Sequence, residues 1–143
     1  MSSPGNLRAR RAAIALLWLS AVVTILYWVV FFSSGEVHST EEDCYLAFER
    51  AFPAADGWLV IVCVVAAEGL RRRREWALLW GVAAGSAIIY LGCMDVLYNL
   101  ENGMYTRMNA AMAGEVVINL WCVSLGPILL AYFWRHRRDL KTA

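Results

Sequence analysis

The chain has 143 residues, 60% hydrophobic and only 17% charged, with seven Trp, six Tyr, five Phe and a formal net charge of +1. A soluble domain runs to roughly 45–50% apolar and about a quarter charged, so this composition excludes an ordinary soluble domain. It also excludes a polar disordered segment and a strongly basic nucleic-acid binder.

A helix needs about 20 apolar residues to cross ~30 Å of hydrocarbon, and four segments reach that length. The first, about 12–32, carries no charge. Arg8, Arg10 and Arg11 precede it, as in a secretory signal. Its apolar run exceeds the roughly 7–15 residues of such signals and no A-x-A site follows, so the segment is expected to stay as a helix. A polar stretch from Ser33 to Cys44 comes next, holding Glu36, Glu41, Glu42 and Asp43. Thr40 ahead of Glu42 and Asp43 reads as a helix start, a capping hydroxyl followed by acids. It predicts a short helix over about 41–52 near the membrane surface, with Tyr45, Phe48 and Phe52 on one side.

The second span, about 51–70, is the weak one. Its unbroken apolar run from Gly57 to Ala67 is too short to cross. It reaches spanning length only by including Asp56 and Pro53, the latter tolerated in a first turn where N–H groups are spare. The third span, about 76–97, has Asp95 near its end and is followed by a short loop with an Asn102-Gly103 turn signal. The fourth, about 113–134, has Glu115 near its start.

Eleven of the thirteen basic residues lie before the first span, between the second and third, or after the fourth; only Arg50 and Arg107 lie on the other side. The expected fold is therefore all-α: one integral membrane domain over 1–143, a four-helix transmembrane bundle with both termini cytoplasmic. The Arg71–Arg74 run and the basic tail set that topology, and Glu68 beside the run is expected to form an interfacial ion pair. Trp residues near the span ends fit aromatic belts.

Each span carries a stripe at helical spacing. The third has Gly81, Gly85, Ile88, Gly92, Asp95 and Asn99; the fourth has Glu115, Asn119, Cys122 and Gly126. The second has Glu49, Asp56, Cys63 and Ala67, and the first has Ser20, Thr24 and Tyr27. Packed together, these stripes grade from small residues at the cytoplasmic end to acids and amides at the outer end. At ~1.5 Å rise per residue, Asp56 lies about 7 Å inside the outer boundary and Asn119 about 6 Å, while Asp95 and Glu115 lie at the boundary and Asn99 just outside it.

An intramembrane carboxylate costs at least ~2.5 kcal/mol, so it faces the interior or water and marks a candidate site. Asp56, Asp95, Glu115 and Glu49 are the expected anionic groups of an outward-facing pocket, with Asn99 and Asn119 as hydrogen-bond partners. Crowded together, the acids would share a proton or a cation. A plainer reading stands beside this one: acids mark the interface and complement helix N-termini.

Chemical motifs are scarce. No C-x-x-C, H-E-x-x-H, Walker loop, G-x-S-x-G or Rossmann fingerprint occurs. Cys63, Cys93 and Cys122 read as small apolar fillers, and Cys44 lies outside the spans. His38 and His136 fall on opposite sides of the membrane and cannot share a metal. No cofactor, metal or catalytic residue is expected, and an enzyme ranks behind two other readings. The first is binding, or help in transport, of a small cationic or amphiphilic ligand. The alternative is a non-catalytic partner subunit whose acidic outer loop and glycine seam dock another membrane protein. The expected surroundings are the lipid bilayer of a plasma membrane, without nucleic acid.

Two stretches, Cys44–Asp56 (CYLAFERAFPAAD) and Met94–Tyr105 (MDVLYNLENGMY), resemble segments of small four-span bacterial integral membrane proteins with no known activity. The resemblance implies a bacterial multi-pass membrane protein and no particular chemistry. In architecture the chain is also similar to the emopamil-binding-protein and sigma-2-receptor group, four helices around an acid-lined pocket. The isomerases of that group use an intramembrane histidine, which no span here contains, so the likeness implies a pocket for an amphiphile or amine.

Overall fold

A computed structural model describes residues 4–141. Among these the chain forms helices and no strand: α1 (Pro4–Ser33), α2 (Asp43–Glu49), α3 (Pro53–Arg71), α4 (Ala77–Glu101), α5 (Ala110–Arg135) and α6 (Arg137–Lys141), with a single 3₁₀ turn at Met104–Thr106. Four helical segments are long and apolar enough to cross a membrane: Asn6–Ser33, Asp43–Arg71, Ala77–Glu101 and Ala110–Arg135. Large apolar side chains such as Leu26, Val29, Leu79, Val117 and Leu120 stand more than half exposed on their outer faces. A surface so apolar suits lipid, and helices suit it too, because their backbone groups are satisfied within the segment.

Local chemistry explains the helix ends. Pro53 occupies the first turn of α3, where its missing N–H costs nothing. At the other end Arg73 takes the left-handed conformation (φ 55°), Arg74 N–H donates to Gly69 O at 2.9 Å and Arg73 N–H to Leu70 O at 3.3 Å. These are the two bonds of a Schellman motif, with arginine where glycine is usual. Glu68 clamps this end as an ion pair with Arg71 (2.6 Å) and Arg72. The Asn102-Gly103 turn ends α4, with Gly103 at φ 62°. Asn109 caps α5, its side chain accepting from Met112 N–H at 2.8 Å.

The closest packing is between α4 and α5, which run antiparallel, followed by α1 with α3 and α3 with α4. Small residues decide the first of these. A Cβ added at Gly81 would collide with the Phe133 ring, one at Gly85 would lie 3.1 Å from Gly126 O, and one at Gly92 would lie 2.6 Å from Cys122 Cβ. The α4 stripe is thus a seam filled by α5. The core at the arginine end joins Leu17, Val62, Leu70, Ile88, Leu129 and Phe133 across all four spans. By contrast, the backbones of α1 and α5 approach each other far less closely. A bond from Trp121 Nε1 to Ser20 Oγ (3.1 Å) bridges them.

Two sequence expectations need correction. The helix after the polar stretch ends at Glu49, short of residue 52, and Thr40 does not cap it. Thr40 Oγ1 instead accepts from Glu42 N–H at 3.4 Å, two residues on, a turn that precedes the helix. The helix turns one side inward, while Asp43, Cys44 and Ala47 on its other side are exposed. Tyr45 and Glu49 are buried, Tyr45 in a small cluster with Met104 and Met112 and Phe48 stacked on Tyr98 at 3.8 Å, so α2 plugs the bundle end. The helix of the third span continues past residue 97 to Glu101, so Asn99, expected beyond the end of the span, lies on α4 and is fully buried.

Candidate functional site

Between the apolar core and α2 the bundle does not pack solidly. A cavity of about 70 Å³ lies there, and Glu49, Asp56, Asp95 and Glu115 all line it. Each comes from a different element. Glu49 is the last residue of α2, Asp56 sits in the first turn of α3, Asp95 lies one turn beyond Gly92 on α4, and Glu115 is in the second turn of α5. Apolar walls complete the chamber: Val23 on α1, Phe52 and Leu59 towards α3, Leu91 on α4 and Ile118 on α5.

Three of the four acids are held by donors. Tyr27 Oη donates to Glu49 Oε2 at 3.2 Å, and Trp28 Nε1 donates to Asp56 Oδ2 at 2.7 Å. Glu115 is held twice, by Ser39 Oγ at 2.5 Å and Asn99 Nδ2 at 2.8 Å. Asp95 lines the cavity with no hydrogen bond among the described residues. None of the four has a basic partner there either. Ion pairs form elsewhere, His38 with Glu41 (3.0 Å) and Arg107 with Glu42 (2.5 Å). Arg50 and Arg107, the cations nearest in sequence, are both exposed. No three His, Cys, Asp or Glu side chains among the described residues come close enough to hold a metal ion.

The two asparagines stand beside the chamber and do not line it. Asn119 Nδ2 donates to Tyr105 Oη at 3.1 Å. The Oδ1 atoms of Asn99 and Asn119 are buried without a hydrogen-bond partner, although a buried acceptor left unmade costs about 1–3 kcal/mol. The α4–α5 register gives them their places. Gly81 meets Phe133, Gly92 meets Cys122 and Asn99 meets Glu115, so Asp95 and Asn119 occupy the same level between the last two pairs.

Sequence reading missed three members of this network. Ser39 lies in an irregular loop and carries no periodic signal, yet it is buried. Its N–H reaches Tyr45 Oη at 3.3 Å, and Asn109 Nδ2 holds its carbonyl at 2.8 Å. Trp28 reads as belt aromatic from its position near a span end, but its N–H serves Asp56. Tyr105 follows the turn signal and nothing in the pattern pairs it with Asn119.

A second hollow of about 200 Å³ adjoins the chamber. Glu36 and Val37 of the polar loop form its rim, and Ala110, Ala111 and Gly114 of α5 form a wall. Tyr27, Glu115 and Ile118 border both hollows. No family model, curated protein or solved structure matches this chain.

Proposed function

We propose that this is a bacterial plasma-membrane protein that binds, or helps to transport, a small ligand with a cationic head, with the arginine end in the cytoplasm and the acid chamber facing outward. The orientation follows the basic-residue asymmetry, eleven of thirteen Lys and Arg on one side. The observation that carries the ligand class is four carboxylates on one cavity with no basic partner among the described residues. Within a bilayer such groups need neutralising by a proton or a cation. Mixed acid and aliphatic walls suit an ammonium on a carbon skeleton.

A scaffold role would need a free docking face. The glycine stripe does not supply one, because α5 already fills it, which leaves only the exposed acids Glu36, Glu41, Glu42 and Asp43 of the polar stretch for that reading. The test is binding of n-hexylammonium to the protein in lipid nanodiscs, compared with Asp95→Asn and Asp56→Asn. Each neutral variant is expected to bind about tenfold more weakly, and unchanged binding in both overturns the reading.

A further inference from the structure

The chamber adjoins a second hollow, so the position of its opening determines how a ligand reaches it. Two observations locate that opening. First, α1 and α5 pack their backbones far less closely than do α1 with α3, α3 with α4 or α4 with α5, and they flank both hollows. Second, the two hollows are stacked along this cleft and share Tyr27, Glu115 and Ile118 as their common border. The Trp121–Ser20 bond and the core beneath it floor the cleft, and the loop at Glu36 and Val37 roofs it.

We infer that the cleft between α1 and α5 is the entry path of an amphiphilic amine, whose ammonium passes a neck of Tyr27, Glu115 and Ile118 to reach the acid chamber while its hydrocarbon tail stays in the larger hollow. Charge complementarity selects the head, because the path ends on four acids that no basic side chain pairs with among the described residues. Size selects where the tail lies. The chamber offers about 70 Å³ to the head group, and the hollow beside Ala110, Ala111 and Gly114 offers about 200 Å³ to the chain. The neck is polar on both sides: Tyr27 Oη is bonded to Glu49, and Glu115 is held by Ser39 and Asn99. An ammonium arriving there finds carboxylate acceptors in sequence, first Glu115 and then Glu49, Asp56 and Asp95. Gly114 is the gauge of the path. It lines the larger hollow, and a Cβ built on it meets nothing within 4 Å, so side-chain bulk at this position fills the path without straining the fold.

This inference rests on the chamber being a cation site, and the test separates the two. Binding of n-hexylammonium in nanodiscs is compared in the wild type, Gly114→Trp, Val117→Trp and Asp95→Asn. Val117 is on the same helix but 65% exposed on its outer face and lines neither hollow. The expected result is a loss of about tenfold in Gly114→Trp and less than about twofold in Val117→Trp. A second readout avoids the bulky side chain: Gly114→Cys with Cys44→Ser and Cys93→Ser, where n-hexylammonium should slow modification by a water-soluble thiosulfonate about fivefold or more. Gly114→Trp binding as tightly as wild type, or the thiol of Gly114→Cys left unprotected, while Asp95→Asn loses binding, overturns the path and leaves the cation site standing. Failure of the wild type to bind n-hexylammonium overturns both.

Discussion

Glu115 takes hydrogen bonds from a loop hydroxyl and a helix amide at once, from Ser39 at 2.5 Å and Asn99 at 2.8 Å. Its position on an inward stripe was readable from spacing, but its partners were not. Ser39 is 76 residues away along the chain, and no period connects a loop serine to a helix acid. The glycines were more legible, because the same spacing that defines a face also defines what must approach it. At Gly92 that approach is tight, with an added Cβ only 2.6 Å from Cys122 Cβ. Gly92→Ala is expected to lower stability by about 1–2 kcal/mol through overpacking, measured as thermal unfolding in detergent. Adding Cys122→Gly should recover part of that loss. Gly57→Ala, whose Cβ meets nothing within 4 Å, should leave the unfolding temperature unchanged or slightly raised.

The spanning helices follow from runs of apolar residues, and the structure puts their ends within about four residues of the sequence expectation, except that α1 starts eight residues earlier, at Pro4. Elements set by tertiary contact were harder to read. The pattern Tyr45, Phe48, Phe52 predicts a helix running to residue 52, whereas α2 ends at Glu49 and turns Tyr45 and Glu49 into the bundle end. The α5 N-terminus shows how one residue ties elements together. Asn109 Oδ1 caps the helix through Met112 N–H, while its Nδ2 holds the carbonyl of Ser39. Asn109→Asp keeps the acceptor and loses the donor; Asn109→Ala loses both. Amide hydrogen exchange across residues 36–42 is therefore expected to quicken in both variants. Only Asn109→Ala should also lose about 1 kcal/mol from the missing cap. Equal protection of the loop in wild type and Asn109→Asp would show that the tether has no hold on it.

Across the whole molecule, the asymmetry of basic residues is the feature most clearly written in the sequence, since it needs only counting once the spans are known. The graded interior is a three-dimensional arrangement, and its small-residue half was read more fully than its polar half. Methyl-sized contacts follow helix geometry, while Trp28, Ser39 and Tyr105 enter through side-chain reach. Orientation has a direct check in the cysteines. Cys44 is exposed at the acid end, Cys63 and Cys122 are buried, and Cys93 faces outward from a span. In intact cells a membrane-impermeant maleimide should label Cys44 and leave the other three unmodified; labelling only after lysis would reverse the orientation. The order of helix contacts has a mechanical consequence. The rods are bound like the leaves of a book along α1–α3, α3–α4 and α4–α5, with the two covers left unstitched. Parting those covers strains a few side-chain clasps, the indole of Trp121 on Ser20 among them, and leaves the glycine stitching between α4 and α5 intact.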